Sequence, residues 1–205
     1  MKMSDNGAGC YLPVFRIISR WMETEGPVVI AIDGRCASGK SSLAAQLQRE
    51  IPCNVVHMDE FYLPPQQRCQ QWTQIPAGNM DLKRVLQEVL RPLRAGEQAA
   101  YRPFSCKEGR FLEEASLLPH KLTIIEGSYS HHPLLAEQYQ GKIFLTCSKA
   151  EQEQRLLLRE GERFVNFQNL WIPMEERYFQ TFQLPGRDAL VLDTSGFPPL
   201  PHKEK

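Results

Sequence analysis

The run Gly34-Arg35-Cys36-Ala37-Ser38-Gly39-Lys40-Ser41 constrains this chain more than any other stretch of it. It follows the apolar segment Val28 to Ile32 and leads into Ser42-Leu43-Ala44-Ala45-Gln46-Leu47, so that a Gly-x-x-x-x-Gly-Lys-Ser pattern stands between a strand and a helix. That order builds an anion cradle. Two glycines let the backbone fold with its N–H groups pointing inward, and the following helix presents its positive N-terminus. Gly34, Ala37, Ser38, Gly39, Lys40, Ser41 and Ser42 are therefore the expected nucleotide-binding residues. Lys40 would reach the terminal phosphates, and the Ser41 hydroxyl would sit on Mg2+.

A phosphate-binding loop can serve a nucleic acid, a membrane or a metabolite, and here charge decides between them. Lys and Arg number 24 and so do Asp and Glu, giving a formal net charge of zero. Bulk attraction to nucleic acid or to acidic membranes is thereby excluded, and phosphate affinity has to be local. The partner expected is a small molecule; a homo-oligomer stays open. The 205 residues suffice for one sizeable core. They divide into an arm with an amphipathic helix (1–27), the main domain (28–196) and a flexible tail (197–205), with residues 1–10 frayed. Six scattered cysteines show no zinc spacing and read as reduced thiols. Cys36 is either a small tolerated loop residue or an oxidation-sensitive one. With no apolar run of membrane-spanning length and no basic-then-apolar N-terminus, a cytoplasmic location is expected.

Further along, Val55 to Met58 reads as a second strand that runs into Asp59-Glu60-Phe61-Tyr62. Asp59 either caps a turn or faces the transferring phosphate, there to accept a proton from the attacking hydroxyl or to hold Mg2+ through water; its place 19 residues after Lys40, at a strand end, favours the functional reading. Leu82, Val85, Leu86, Val89, Leu90 and Leu93 share one face of a helix. Asp81 could cap that helix or point into a pocket. Tyr101-Arg102-Pro103-Phe104 suits stacking on a planar base or plain loop packing. Leu122 to Ile125 is an apolar strand that ends in Glu126-Gly127; Glu126 either faces solvent at the strand end or partners Ser41 at Mg2+, and its place directly before a glycine favours the second. His131 and His132 read as polar loop residues. Lys142 to Thr146 and Ala189 to Leu192 complete five strands. Between these last two, Arg155, Arg159 and Arg163 share a face if the helix persists across Gly161, either as a lid over triphosphate or as a solvated face. Trp171 to Phe182 reads as a further helix.

Together these pieces resemble the uridine kinase and phosphoribulokinase group of phosphate-loop kinases over roughly residues 28 to 195. Ala37-Ser38-Gly39-Lys40-Ser41 looks like the group's loop, and Asp59-Glu60-Phe61-Tyr62 resembles its Asp-Ser-Phe-Tyr motif, whose aspartate is the catalytic base. Asn79-Met80-Asp81 is similar to its Phe-Asp stretch near the sugar, Tyr101 to Phe104 to its base-contacting segment, and Ile125-Glu126-Gly127 to its metal-site strand end. The resemblance implies an α/β fold with a five-stranded parallel sheet, helices on both faces and a small lid at about 155–172. It also implies ATP and Mg2+, catalysis by Asp59, Lys40, Arg159 and Arg163, and an acceptor pocket of Tyr62, Asp81, Tyr101 and Phe104. The departures lie on the acceptor and lid sides: Glu60 replaces the motif's serine, and the lid reads Arg-Leu-Leu-Leu-Arg-Glu-Gly-Glu-Arg. The expected activity is transfer of the γ-phosphate of ATP to a nucleoside (uridine- or cytidine-like) or a similar metabolite. The alternatives are a vitamin precursor or a sugar as acceptor, or a nucleotide-binding regulatory protein; no Asn-Lys-x-Asp guanine-recognition run is present.

Overall fold

All seven residues of strand β1 (Val28–Gly34) are buried, which is why the sequence there runs apolar without alternation. Covering both faces of such a strand takes helices before and after it. The computed structural model describes residues 8–197; the rest of the expected arm and tail lies outside these residues. A 3-10 turn, Ala8–Tyr11, and helix α1 (Leu12–Trp21) come first. Val14, Phe15 and Ile18 of α1 are buried against Val28, Ile30 and Ile32 on one face of the sheet, as the amphipathic pattern requires. Two expectations of looseness are corrected at the edges of the described chain. Residues 8–10 belong to the 3-10 turn, and Phe197 packs edge-on against Tyr11 at 5.3 Å between ring centroids.

Helix α2 (Lys40–Glu50) covers the same face through Leu43, Ala44 and Leu47, and gives way before Pro52 to β2 (Cys53–His57). A 3-10 turn, Met58–Phe61, follows. The helix expected from Leu82 is continuous over 82–94 but changes pitch: α3 (Leu82–Arg84), a π-helical stretch Val85–Leu90, then α4 (Arg91–Arg94). Its Val85, Val89, Leu90 and Leu93 join Val29, Val56 and Ile125 in a second core on the opposite face.

Beyond it stand two small antiparallel ribbons that the sequence did not announce. β3 (Ala99–Tyr101) pairs with β6 (Ala115–Leu117), and between them β4 (Phe104–Ser105) pairs with β5 (Arg110–Phe111). Strands of two or three residues are too short for a period-2 pattern to be visible. The chain then makes β7 (Leu122–Glu126), α5 (Pro133–Ala136), β8 (Gly141–Thr146) and α6 (Lys149–Glu160). Ser148 caps α6, its hydroxyl accepting the Glu151 N–H at 3.2 Å. Next come α7 (Phe164–Asn166), a π-helical stretch Phe167–Trp171, α8 (Ile172–Phe182) and β9 (Ala189–Asp193).

The helix carrying the three spaced arginines does not persist. Gly161, at φ 56°, ends α6, and Gly161–Arg163 form a separate 3-10 turn. The three arginines therefore do not lie on one unbroken helix.

The five long strands form one parallel sheet in the order β2-β7-β1-β8-β9, with helices on both faces. This is the expected architecture. The carboxyl ends of β2, β7 and β1 thus lie side by side, which is where open α/β sheets bind ligands. Among the described residues no helix is long and apolar enough to cross a membrane, and all six cysteines are free thiols.

Candidate active site

The phosphate loop leaves β1 at Gly34 (φ 135°) and enters α2 at Gly39 (φ 95°), with Ala37 also left-handed at φ 60°. Lys40, only 9% exposed, donates through Nζ to the Gly34 and Arg35 carbonyls at 2.7 and 2.9 Å, so its charge is held inside the curve of the loop. Three elements hold the loop. From α6, Gln152 donates to the Cys36 carbonyl at 3.1 Å, and Arg155 donates to the Ala37 carbonyl at 3.3 Å. Thr194, after β9, donates to the Ser38 carbonyl at 3.0 Å and is itself held by Arg155. From α8, Glu175 accepts the Cys36 N–H at 2.8 Å, and Glu176 is ion-paired with Arg35. Burial, with the Glu175 carboxylate close by, pushes the Cys36 thiol far up from its ordinary value. Of its two readings, the inert small residue is the one this environment supports.

Asp33, the last residue but one of β1, is fully buried. It accepts hydrogen bonds from the Gly34 N–H at 2.7 Å, the His131 N–H at 2.8 Å and the Tyr178 hydroxyl at 2.8 Å. Its oxygens are committed to holding the loop, the turn after β7 and α8 together. Of the paired histidines, His131 is buried and His132 accepts the Leu134 N–H at 3.2 Å at the start of α5. Both are structural, in keeping with a polar-loop reading. No group of three His, Cys, Asp or Glu fit to hold a metal occurs among the described residues.

Glu126 ends β7 at 3% exposure, directly across from His57 in the register of β2. Its Oε1 lies 2.5 Å from His57 Nδ1. The hydrogen bond to Glu126 is the largest cause pushing the His57 pKa up; the Glu60 and Asp59 charges add to it, against burial. A base raised by a native partner stabilises the fold fully below its unfolded pKa, about 6.5, and loses that contribution as pH rises through the folded value. The stability deficit of His57→Gln relative to wild type should therefore be larger near pH 6 than near pH 9, as urea midpoints would show. An equal deficit at both would mean that the pair carries no charge.

Asp59 sits exposed on the 3-10 turn beyond β2, and its carboxylate accepts no backbone hydrogen bond among the described residues. The turn-capping reading fails. Burial raises the pKa of the Tyr62 hydroxyl first, and then the Asp59, Cys106 and Glu175 charges raise it further. Glu60 turns away from Asp59 in function, accepting the Tyr101 hydroxyl at 2.6 Å.

Other expected site residues are placed differently. Asp81 caps α3, accepting the Arg84 N–H at 3.2 Å, so the cap wins over the pocket. Tyr101 is 5% exposed and stacked on Phe61 at 4.8 Å, while Phe104, 4% exposed, packs edge-on to Phe111 at 5.3 Å. Both rings are spent on packing, and neither offers a face to a planar base. Arg159 and Arg163 both pair with Glu160, at 2.9 and 3.2 Å, on the solvent side. It is Arg155 that reaches the loop. Ser41 is exposed at the start of α2, within the first turn after Gly39.

Sequence reasoning passed over Asp33, His57, Gln152, Glu175 and Thr194. Asp33 left a signal, a charge inside an otherwise apolar strand. His57 stood two residues before Asp59. The other three act on residues more than a hundred positions away and left none.

The geometry can be set beside known proteins. No protein-family model matches the chain, and no curated protein matches its sequence. Solved structures do. A possible uridine kinase from Bacillus stearothermophilus is 20% identical, with 89% of this chain and 100% of that one covered at a TM-score of 0.67. A protein of Silicibacter sp. TM1040 described as a fructose transport system kinase is 24% identical, covering 92% and 99% at a TM-score of 0.65. The D-glycerate 3-kinase of Cryptococcus neoformans var. grubii is 16% identical, covering 89% and 92% at a TM-score of 0.62. The chain has the phosphate-loop kinase fold. Its likeness to the uridine kinase and phosphoribulokinase group holds at the level of that fold.

Proposed function

We propose that the chain is an ATP-dependent kinase that transfers the γ-phosphate to a hydroxyl of a small metabolite. The observation that carries this reading is the pairing of a complete phosphate loop with an uncapped carboxylate, Asp59, at the carboxyl edge of the same sheet. A carboxylate there is suited to accept the proton of an attacking hydroxyl.

In this reading the loop N–H groups and Lys40 hold the phosphates, and Asp59 accepts the proton of the acceptor hydroxyl as its oxygen bonds to the γ-phosphorus. The bond from that phosphorus to the bridging oxygen breaks, and the charge left on ADP is met by Lys40 and the loop. Tyr62, whose hydroxyl feels both Asp59 and Glu175, orients the acceptor. Positioning and charge neutralisation carry the reaction, and no covalent enzyme intermediate is needed.

The residues fit Mg2+. Ser41 and Glu126 supply a hydroxyl and a carboxylate, the hard oxygen donors this ion prefers, and Glu126 Oε2 has no protein partner among the described residues. Mg2+ keeps most of its waters, so a cluster of three protein ligands is not required. When bound it neutralises charge on the phosphates.

A nucleoside, uridine- or cytidine-like, is the first acceptor class. A sugar or vitamin precursor is the second reading, favoured by the burial of Tyr101 and Phe104, which removes the stacking surface expected for a base. Incubation with Mg·ATP and a panel of nucleosides, sugars and vitamin precursors tests the proposal. ADP release that depends on one of these acceptors is expected. Binding of ATP with no acceptor-dependent release would favour a nucleotide-binding regulatory protein instead.

A further inference from the structure

One carboxylate reaches into the phosphate loop itself. Glu175, 4% exposed, accepts the Cys36 N–H through Oε2 at 2.8 Å and the Ser128 hydroxyl through Oε1 at 2.5 Å. Cys36 stands on the arm of the loop that leaves β1, away from the Ser38 to Ser41 end, where the N–H groups open α2. A triphosphate laid along the loop from the α2 end brings its outermost group to this arm. One backbone N–H makes one strong hydrogen bond, so the phosphate oxygen and Glu175 compete for it, and two anions this close repel.

We propose that Glu175 is an internal occupant of the triphosphate site, holding the Cys36 N–H until the outermost phosphate of the nucleotide displaces it, and that this displacement resets α8. The inference rests on the reading of the loop as a triphosphate site. Its consequence follows from what the residues beside Glu175 hold. Glu176 pairs with Arg35 in the loop. Arg177 donates to the Thr73 carbonyl at 2.8 Å, in the long segment between β2 and α3. Tyr178 donates to Asp33 at 2.8 Å. Trp171, immediately before α8, lies 6.1 Å from Trp72 in that same segment. Four consecutive side chains and the preceding indole thus join the donor loop to the acceptor side. A shift of Glu175 on nucleotide binding is transmitted to the Trp72–Trp171 pair, so that donor binding conditions the acceptor pocket.

The test titrates Mg·ATP into the full chain by calorimetry while tryptophan emission is recorded, without any acceptor. Glu175→Gln keeps the shape and removes the charge. It is expected to tighten Mg·ATP binding about tenfold, the order set by one like charge a few ångströms away in a partly buried site. Glutamine still accepts the Cys36 N–H, so nucleotide-free Glu175→Gln should match the wild-type emission and make the ATP-induced change at lower ATP. Ser128→Ala, which releases Glu175 Oε1, should tighten binding about two- to threefold and serves as the readout if Glu175→Gln does not fold. Wild-type binding with unchanged or weaker affinity in both variants overturns this inference alone. Failure of wild type to bind Mg·ATP overturns it together with the kinase reading.

Discussion

Asp59→Asn is expected to lower turnover by about 10²–10⁴-fold while leaving Mg·ATP affinity close to wild type, the range usual for loss of a general base. The substitution keeps size and shape, and Asp59 is exposed with no backbone bond to lose, so folding should be untouched. Its neighbours sharpen the expectation. His57 and Tyr62 both feel the Asp59 charge, so Asp59 stands near both the Glu126–His57 pair and the acceptor-side hydroxyl. Steady-state kinetics, nucleotide titration and a thermal melt on one preparation check the prediction. Near-normal turnover would remove Asp59 as the base. Lost ATP binding would instead make it part of the donor site.

Gly34→Ala should cost the fold about 3 kcal/mol or more, the size expected when backbone strain and a backbone clash coincide. Gly34 has φ 135°, which side chains rarely adopt, and a Cβ there would run into the Leu145 carbonyl on β8. That carbonyl belongs to a sheet strand paired with β1 and has nowhere to move. Gly109→Ala is the control: φ is 66° but nothing lies within 4 Å, so only the left-handed backbone penalty of about 1 kcal/mol applies. Urea denaturation of the two variants should separate them clearly. A Gly34→Ala midpoint no lower than that of Gly109→Ala would mean that the loop relaxes around the new carbon.

Much of the fold was legible because its central strands, β1 and β7, are buried on both faces. Val28 to Ile32, Leu122 to Ile125 and Lys142 to Thr146 each read as apolar runs, and the helices between them showed their faces. The donor half of the site was legible for a related reason: its residues are contiguous, so spacing alone carries the geometry. The acceptor half depends on distant contacts. Whether Tyr101 stacks on a base or on Phe61 is decided by how residues 58–61 turn, and nothing in Tyr101 to Phe104 encodes that. The arginine spacing predicted a face only for an unbroken helix, and a single left-handed glycine, Gly161, ends α6 before Arg163. Arg155 then took the role at the loop because it lies on the side of α6 that faces Ala37 and Thr194. Glu175 acts on a residue 139 positions away, and only the folded chain brings them together.

Where the γ-phosphate goes is the most direct question. Mg·ATP labelled in its γ-phosphate should be incubated with wild type, Lys40→Ala and Asp59→Asn in the presence of an acceptor drawn from the panel. The expected result is label in an acid-stable phosphate ester of the acceptor with wild type, and little or none with either variant. Label that stays on bound ATP, or leaves only as inorganic phosphate whatever the acceptor, would contradict a kinase and leave a nucleotide-binding protein in its place.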